Sequence, residues 1–194
     1  RQHAPPYRNK PVNYNLTNEP HDQDKALLVS VQNEAIAAIR NAGANQLVLA
    51  SGGAWSGAHS WVSSGNAEAM LDIRDPGNNF AFDVHQYLDQ NASGTSGTCV
   101  ANSGNRLSAF TAWAREHGKR GFLGEFGGGA NSACNTELRR LLQYIKDNRD
   151  VWVGWTWWGG GPWWDDDYFF ILRPASLSNP VEPPDMAILR QFLW

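Results

Sequence analysis

Several familiar signals are scarce or missing in this chain of 194 residues. No apolar run approaches the ~20 residues that a membrane-spanning helix needs, so no membrane partner is expected. The 16 Lys and Arg are scattered among 19 Asp and Glu, for a formal net charge of −3. Without a basic patch, nucleic acid is not an expected partner. Cysteine occurs twice, at Cys99 and Cys134, and no Cys/His spacing resembles a zinc site. Gly127-Gly128-Gly129 lacks the spaced glycines and following lysine of a phosphate loop. No metal and no cofactor are expected. Neither a signal peptide nor a starting methionine is present, so Arg1 reads as a processed or cut end.

What the chain does have is apolar and aromatic. Hydrophobic residues make up 42%, enough for a sizeable core in one domain, and there are ten tryptophans. Several of these fall in turn-rich segments: Trp55, Trp61, Trp155, Trp157, Trp158, Trp163 and Trp164. Indole is large and usually mostly buried, so about half should be packing residues. The others offer flat apolar faces of the kind that stack on pyranose rings.

Unbroken apolar runs alternate with amphipathic ones. A strand ends at Asn18-Glu19, and Asp22 is placed to cap a helix running to about Asn41. Leu27, Leu28, Val31, Ala35, Ala38 and Ile39 form its expected buried stripe. Gln46–Ala50 reads as the next strand, then come a Gly/Ser loop and a short helix at Ala67–Ile73. Strand Phe80–His85, a polar loop, helix Arg106–His117, strand Gly121–Gly124, helix Thr136–Asp147 and strand Val151–Trp157 follow. A last helix spans about Pro184 to Phe192. Continuous apolar strands alternating with helices argue for an α/β fold with a parallel sheet. Five such units fall short of a complete eight-unit barrel, which needs roughly 250 residues.

Two glutamates close two of these strands about a hundred residues apart. Glu19 lies in Asn18-Glu19-Pro20, and Glu125 in Gly124-Glu125-Phe126-Gly127-Gly128. A glutamate at a strand end is ordinarily a solvated loop residue or half of an ion pair. A pair at the carboxyl ends of two strands in a β/α repeat is instead how a barrel mounts catalytic carboxylates. Flanked by tryptophan, such a pair suits cleavage of a sugar–sugar bond, one acid protonating the leaving oxygen while the other attacks or activates water. The two cysteines lie in polar stretches at the starts of helical patterns, which suits a disulfide in a secreted protein, with two unrelated thiols as the alternative.

Four motifs occur in order and spacing: Asn18–Asp22, Asp83-Val84-His85-Gln86-Tyr87-Leu88-Asp89, Gly124–Gly128 and Gly154-Trp155-Thr156-Trp157-Trp158. Together they resemble glycoside hydrolase family 5, the family of many endo-β-1,4-glucanases, over nearly the whole chain. The resemblance implies a (β/α)8 TIM-barrel type fold, present here as an incomplete barrel of strands four to eight. Residues 1–194 would then be a partial catalytic domain lacking the first three units. Glu19 would be the general acid/base and Glu125 the nucleophile of a retaining mechanism. Asn18 would hold the sugar 2-hydroxyl, His85 and Tyr87 would orient the nucleophile, and Trp158 would floor the cleavage subsite. Trp55 would border the cleft. Glu125 is expected to receive donors from Tyr87 or His85, and Glu19 to feel its neighbour's charge.

The resemblance further implies a Cys99–Cys134 disulfide, a secreted protein and a β-glucan polysaccharide or oligosaccharide as partner. Relatives carry an Arg and a His on earlier strands that this chain lacks. A partial sheet should therefore seek a missing N-terminal fragment or a second copy of the chain. A self-associating fragment without turnover, and a hydrolase of mannan or mixed-linkage glucan, are the alternative functions. Asp165-Asp166-Asp167 is read as a solvated loop rather than a calcium site. Of two glycosylation acceptor patterns, Asn15-Leu16-Thr17 is expected in a buried strand, leaving Asn91-Ala92-Ser93.

Overall fold

The apolar runs do become the strands of one parallel sheet. A computed structural model of the chain describes residues 10–161, 163–174, 176, 178 and 181–193. Its elements are β1 (Tyr14–Asn15), α1 (Lys25–Asn41), β2 (Val48–Ser51), α2 (Asn66–Ala69), β3 (Phe80–His85), α3 (Ser108–Glu116), β4 (Gly121–Glu125), α4 (Ser132–Asp147), β5 (Trp152–Trp155) and α5 (Met186–Leu189). The strands lie side by side in chain order, β1-β2-β3-β4-β5, and every pairing is parallel. Among the described residues β1 and β5 are thus the two edges. All catalytic candidates lie at the carboxyl ends of the strands or just beyond, where β/α folds place their sites.

The strand before Glu19 pairs over two residues only. Asn15 is exposed there rather than buried as expected, because β1 is an edge with a neighbour on one side. The α1 cap is Asp24, not Asp22: its side chain accepts from Leu27 N at 2.9 Å. Asp22 instead sits at φ 54° in the turn.

The stripe expected on α1 is also rotated. Leu28, Val29, Gln32 and Ile36 face the sheet, while Leu27 and Val31 are 61% and 50% exposed. Gln32 decides the rotation. Its amide donates to Ser51 O at 2.8 Å and accepts from Ser51 N at 2.9 Å, satisfying backbone groups at the end of β2 that would otherwise be buried unmet.

Trp61 is fully buried at the centre of an aromatic cluster with Phe82, Phe110 and Trp113, ring centroids 5.0–5.3 Å away. It is a packing residue. At the opposite end of the strands, Arg40 forks onto Asp75 at 2.8 and 2.7 Å and donates to Ala44, Gln46 and Asn79 carbonyls. One guanidinium thereby ties the segment after α1 to the segment before β3.

The Cys99–Cys134 disulfide joins the loop after β3 to the first turn of α4, over a separation of 35 residues. No helix among the described residues is long and apolar enough to cross a membrane.

Candidate active site

Three strand ends converge on His85. Alternation along β3 puts Asp83 and His85 on one face. Between Val84 and His85 the β3–β4 register slips, so that Val84 faces Leu123 but His85 faces Glu125. Gly124 is the extra residue of this bulge, and bulges re-aim side chains in this way. A β-carbon on Gly124 would lie 2.0 Å from Asp83 Oδ1, so the space a side chain would need is already taken. The Gly-Glu order of the motif follows from that contact.

Glu19 follows β1 in a tight turn, with φ 44°, a left-handed conformation uncommon outside glycine. Its Oε1 lies 2.8 Å from His85 Nδ1, and Glu125 Oε2 lies 3.4 Å from the same nitrogen. On the other side of the ring, Nε2 is 3.5 Å from Asp83 Oδ2. Tyr87 Oη donates to Glu125 Oε2 at 2.7 Å. Donor atoms of Glu19, His85 and Glu125 all lie within 4.8 Å of one another.

The electrostatics follow from burial and charge. His85 is 4% exposed. Burial disfavours its charged form, but Asp83, Glu19 and Glu125 together outweigh this and hold the ring up at about 9. Burial pushes Glu125 above the usual carboxylate range, while the charge of His85 and the hydrogen bond from Tyr87 pull it back down. Of the two expected donors Tyr87 is in place, while the hydrogen bond of His85 goes to Glu19 and only its charge reaches Glu125. What was not expected is that burial opposes them. The Tyr87 hydroxyl is driven well above its ordinary value by burial and by the Glu125 charge.

The cavity beside Glu19 has a volume of about 520 Å³, with Trp55, His59, His85 and Tyr87 on its walls. Trp55 is 53% exposed, and His21 stacks on it with centroids 4.6 Å apart. The backbone N–H of Trp55 donates to Pro20 O at 3.2 Å, tying the Trp55 turn to the Glu19 turn. Asn18 is exposed beside Glu19. Trp158, 37% exposed, packs edge-on against Trp164 and does not line this cavity. Trp155 and Trp157 pack edge-on against Phe126. Asn91 lies exposed on the cavity rim.

Among the described residues, the one group of three or more acidic, His or Cys side chains near enough to hold a metal is Glu19, His85 and Glu125. Charged by the carboxylates around it, the His85 ring would have to give up a proton to hold a metal. Asp165, Asp166 and Asp167 are exposed, and Asp166 pairs with Arg173.

Two residues of this cluster were not singled out from sequence. Asp83 is a fully buried carboxylate, and Asn15 donates to its Oδ2 at 2.7 Å. The signal was present: a charged residue inside an apolar strand, two positions before His85 and therefore on its face.

The Cellulase (glycosyl hydrolase family 5) family model matches residues 3–161. Probable endo-beta-1,4-glucanase B of Neosartorya fischeri is 41% identical over 153 residues, which covers 77% of this chain and 46% of the relative. A solved endo-beta-1,4-glucanase from Xanthomonas axonopodis pv. citri superposes with a TM-score of 0.93 at 41% identity, covering 97% of this chain and 62% of the other. A structure described as XacCel5A in complex with cellopentaose gives a TM-score of 0.92 at 40% identity, with coverages of 98% and 62%. The chain therefore spans less than half of that curated relative and about three-fifths of those solved chains. The five-stranded sheet is a portion of the barrel those enzymes share.

Proposed function

The chain belongs to glycosyl hydrolase family 5, and from that premise we propose that it carries the catalytic pair of a retaining endo-β-1,4-glucanase acting on cellulose-type glucans. The observation that carries this reading is the approach of the two acids. A carboxylate oxygen of Glu19 and one of Glu125 lie within 4.8 Å. Double displacement uses carboxyl groups ~5–5.5 Å apart, whereas inversion needs ~6.5–9.5 Å to admit a water between them.

In this reading Glu125 attacks the anomeric carbon and Glu19 protonates the departing glycosidic oxygen. Water then enters from the vacated side, Glu19 takes its proton, and the glycosyl–Glu125 ester is broken. Tyr87 holds Glu125 Oε2 and favours its ionised form. His85 Nδ1–H donates to Glu19 Oε1 and brings its charge within 3.4 Å of Glu125 Oε2. Asn18 is assigned to the sugar 2-hydroxyl. Trp158, off the cavity but bonded through its backbone N–H to Phe126 O beside Glu125, is assigned to the floor of the cleavage subsite. Trp55 is assigned to the cavity wall as an apolar platform. The 53% exposure of Trp55 on the cavity wall favours that role. A disulfide suits an oxidising compartment, so secretion is proposed.

The sheet has two edges, and such edges recruit further polypeptide. We assign the β1 edge to additional β/α units, carried by a missing N-terminal fragment or by a second copy. The same feature favours the second reading, a carbohydrate-binding partial barrel without turnover. Hydrolysis of carboxymethylcellulose by the parent and by Glu125→Gln separates the two. The enzyme reading requires turnover that the substitution lowers at least 10³-fold. Equal rates in both, or none in either, would exclude it.

A further inference from the structure

Asp83 stands apart from the acids so far assigned a role, because it touches neither the cavity nor solvent. Its carboxylate is fully shielded, and Oδ1 has no hydrogen-bond partner among the described residues. A buried carboxylate with half of its acceptor capacity unmet is costly unless an opposite charge stands close. The nearest is the His85 ring, with Nε2 3.5 Å from Oδ2. That distance is long for a hydrogen bond and close for an ion pair. Asn15 reaches from β1 to β3 to donate to the same Oδ2 at 2.7 Å. The missing side chain of Gly124 leaves Oδ1 its space. Three strands therefore contribute to holding one carboxylate behind one imidazole.

We propose that Asp83 is a positioning residue that keeps His85 charged and turned so that Nδ1–H stays between Glu19 and Glu125. This rests on the reading of those glutamates as the catalytic pair. The titratable groups facing the ring are Glu19 from the turn after β1, Asp83 on β3 and Glu125 on β4, with the Tyr87 hydroxyl beside Glu125. During a catalytic cycle Glu19 gives up and regains a proton, and Glu125 loses and regains its charge as the glycosyl ester forms and breaks. Asp83 sits outside the proton traffic and is the constant counter-charge. An amide in its place would direct a dipole rather than a charge at Nε2, and the ring would lose its proton at lower pH. The competing account makes Asp83 a strap fastening β1 to β3 through Asn15, with no influence on the ring.

The test is NMR titration of the histidine rings in selectively labelled protein, a readout that needs no turnover. In the unaltered chain the His85 midpoint is expected at about 9, and a midpoint near the ordinary 6.5 would overturn the proposal. Asp83→Asn is expected to lower it by ~1–3 units, the usual effect of one opposite charge at this range. Asn15→Ala breaks the strap but keeps the charge, and should leave the midpoint within about half a unit. An unmoved midpoint in Asp83→Asn, or an equal fall in both variants, would overturn the proposal. Asp83→Ser serves as the charge-free variant if the amide does not fold. In hydrolysis, Asp83→Asn should lose about tenfold in kcat with KM unchanged, since Asp83 lies off the cavity wall. A chain without hydrolysis in any form would sink the functional reading and leave the NMR outcome to decide this one.

Discussion

Replacing Tyr87 by Phe removes one hydroxyl and leaves the ring, which stacks on Phe170 at 5.7 Å with planes 6° apart. The bond lost runs from Oη to Glu125 Oε2 at 2.7 Å, between groups 6% and 7% exposed. A buried hydrogen bond to a charged acceptor is worth ~1.5–3 kcal/mol, which at 1.36 kcal/mol per unit is a rise of roughly 1–2 units in the Glu125 pKa. The direction follows from the balance already described. Burial holds Glu125 up and Tyr87 pulls it down, so losing the hydroxyl raises it further. A nucleophile must be ionised, so activity is lost as pH falls through its pKa. The acid limb of kcat/KM in Tyr87→Phe should therefore move to higher pH by ~1–2 units. Carbon NMR titration of the glutamate carboxyls should show the same displacement without substrate. Superimposable acid limbs and an unmoved Glu125 resonance would refute this assignment of Tyr87.

Reducing the Cys99–Cys134 bond opens a loop of 35 residues and should lower stability by ~4 kcal/mol in the chain-entropy estimate, measured as a fall in urea midpoint with reductant. An unchanged midpoint would show that the bond constrains little. Asp75 is held at about 2, chiefly by its hydrogen bonds from Arg40. A carboxylate depressed in the folded chain contributes stability above its unfolded value near 4, and that stability is lost as pH falls through about 2. Discounted for screening, the contribution is about 1–2 kcal/mol. Asp75→Asn should therefore be less stable than the parent at pH 6 and should approach it near pH 2; a difference independent of pH would contradict this.

The parts of the fold legible in sequence were those dictated by local chemistry. Phe80–His85 reads as a strand because four of its six residues are apolar and bounded by turn residues, and it spans those residues in the structure. The rotation of α1 was not legible. Leu27 and Val31 suggest one buried face, whereas Gln32 is drawn under the sheet by backbone groups of β2. Hydrophobicity carries no record of that partner. The length of β1 was hidden for a similar reason: a strand's extent depends on its neighbours, and among the described residues β1 pairs only with β2. At the site, motif spacing brought Glu19, His85, Tyr87 and Glu125 to one place. Asp83 opens one of the motifs, but its role is not legible there because its partners, Asn15 and the space over Gly124, come from two other strands.

The central claim is that Glu19 and Glu125 cleave a β-1,4-glucan with retention. Proton NMR of the first products from cellopentaose, recorded before mutarotation, tests it most directly. The account predicts the β-anomer at the newly formed reducing end, and its disappearance in both Glu19→Gln and Glu125→Gln. An α-anomer, or hydrolysis that survives either substitution, would contradict it.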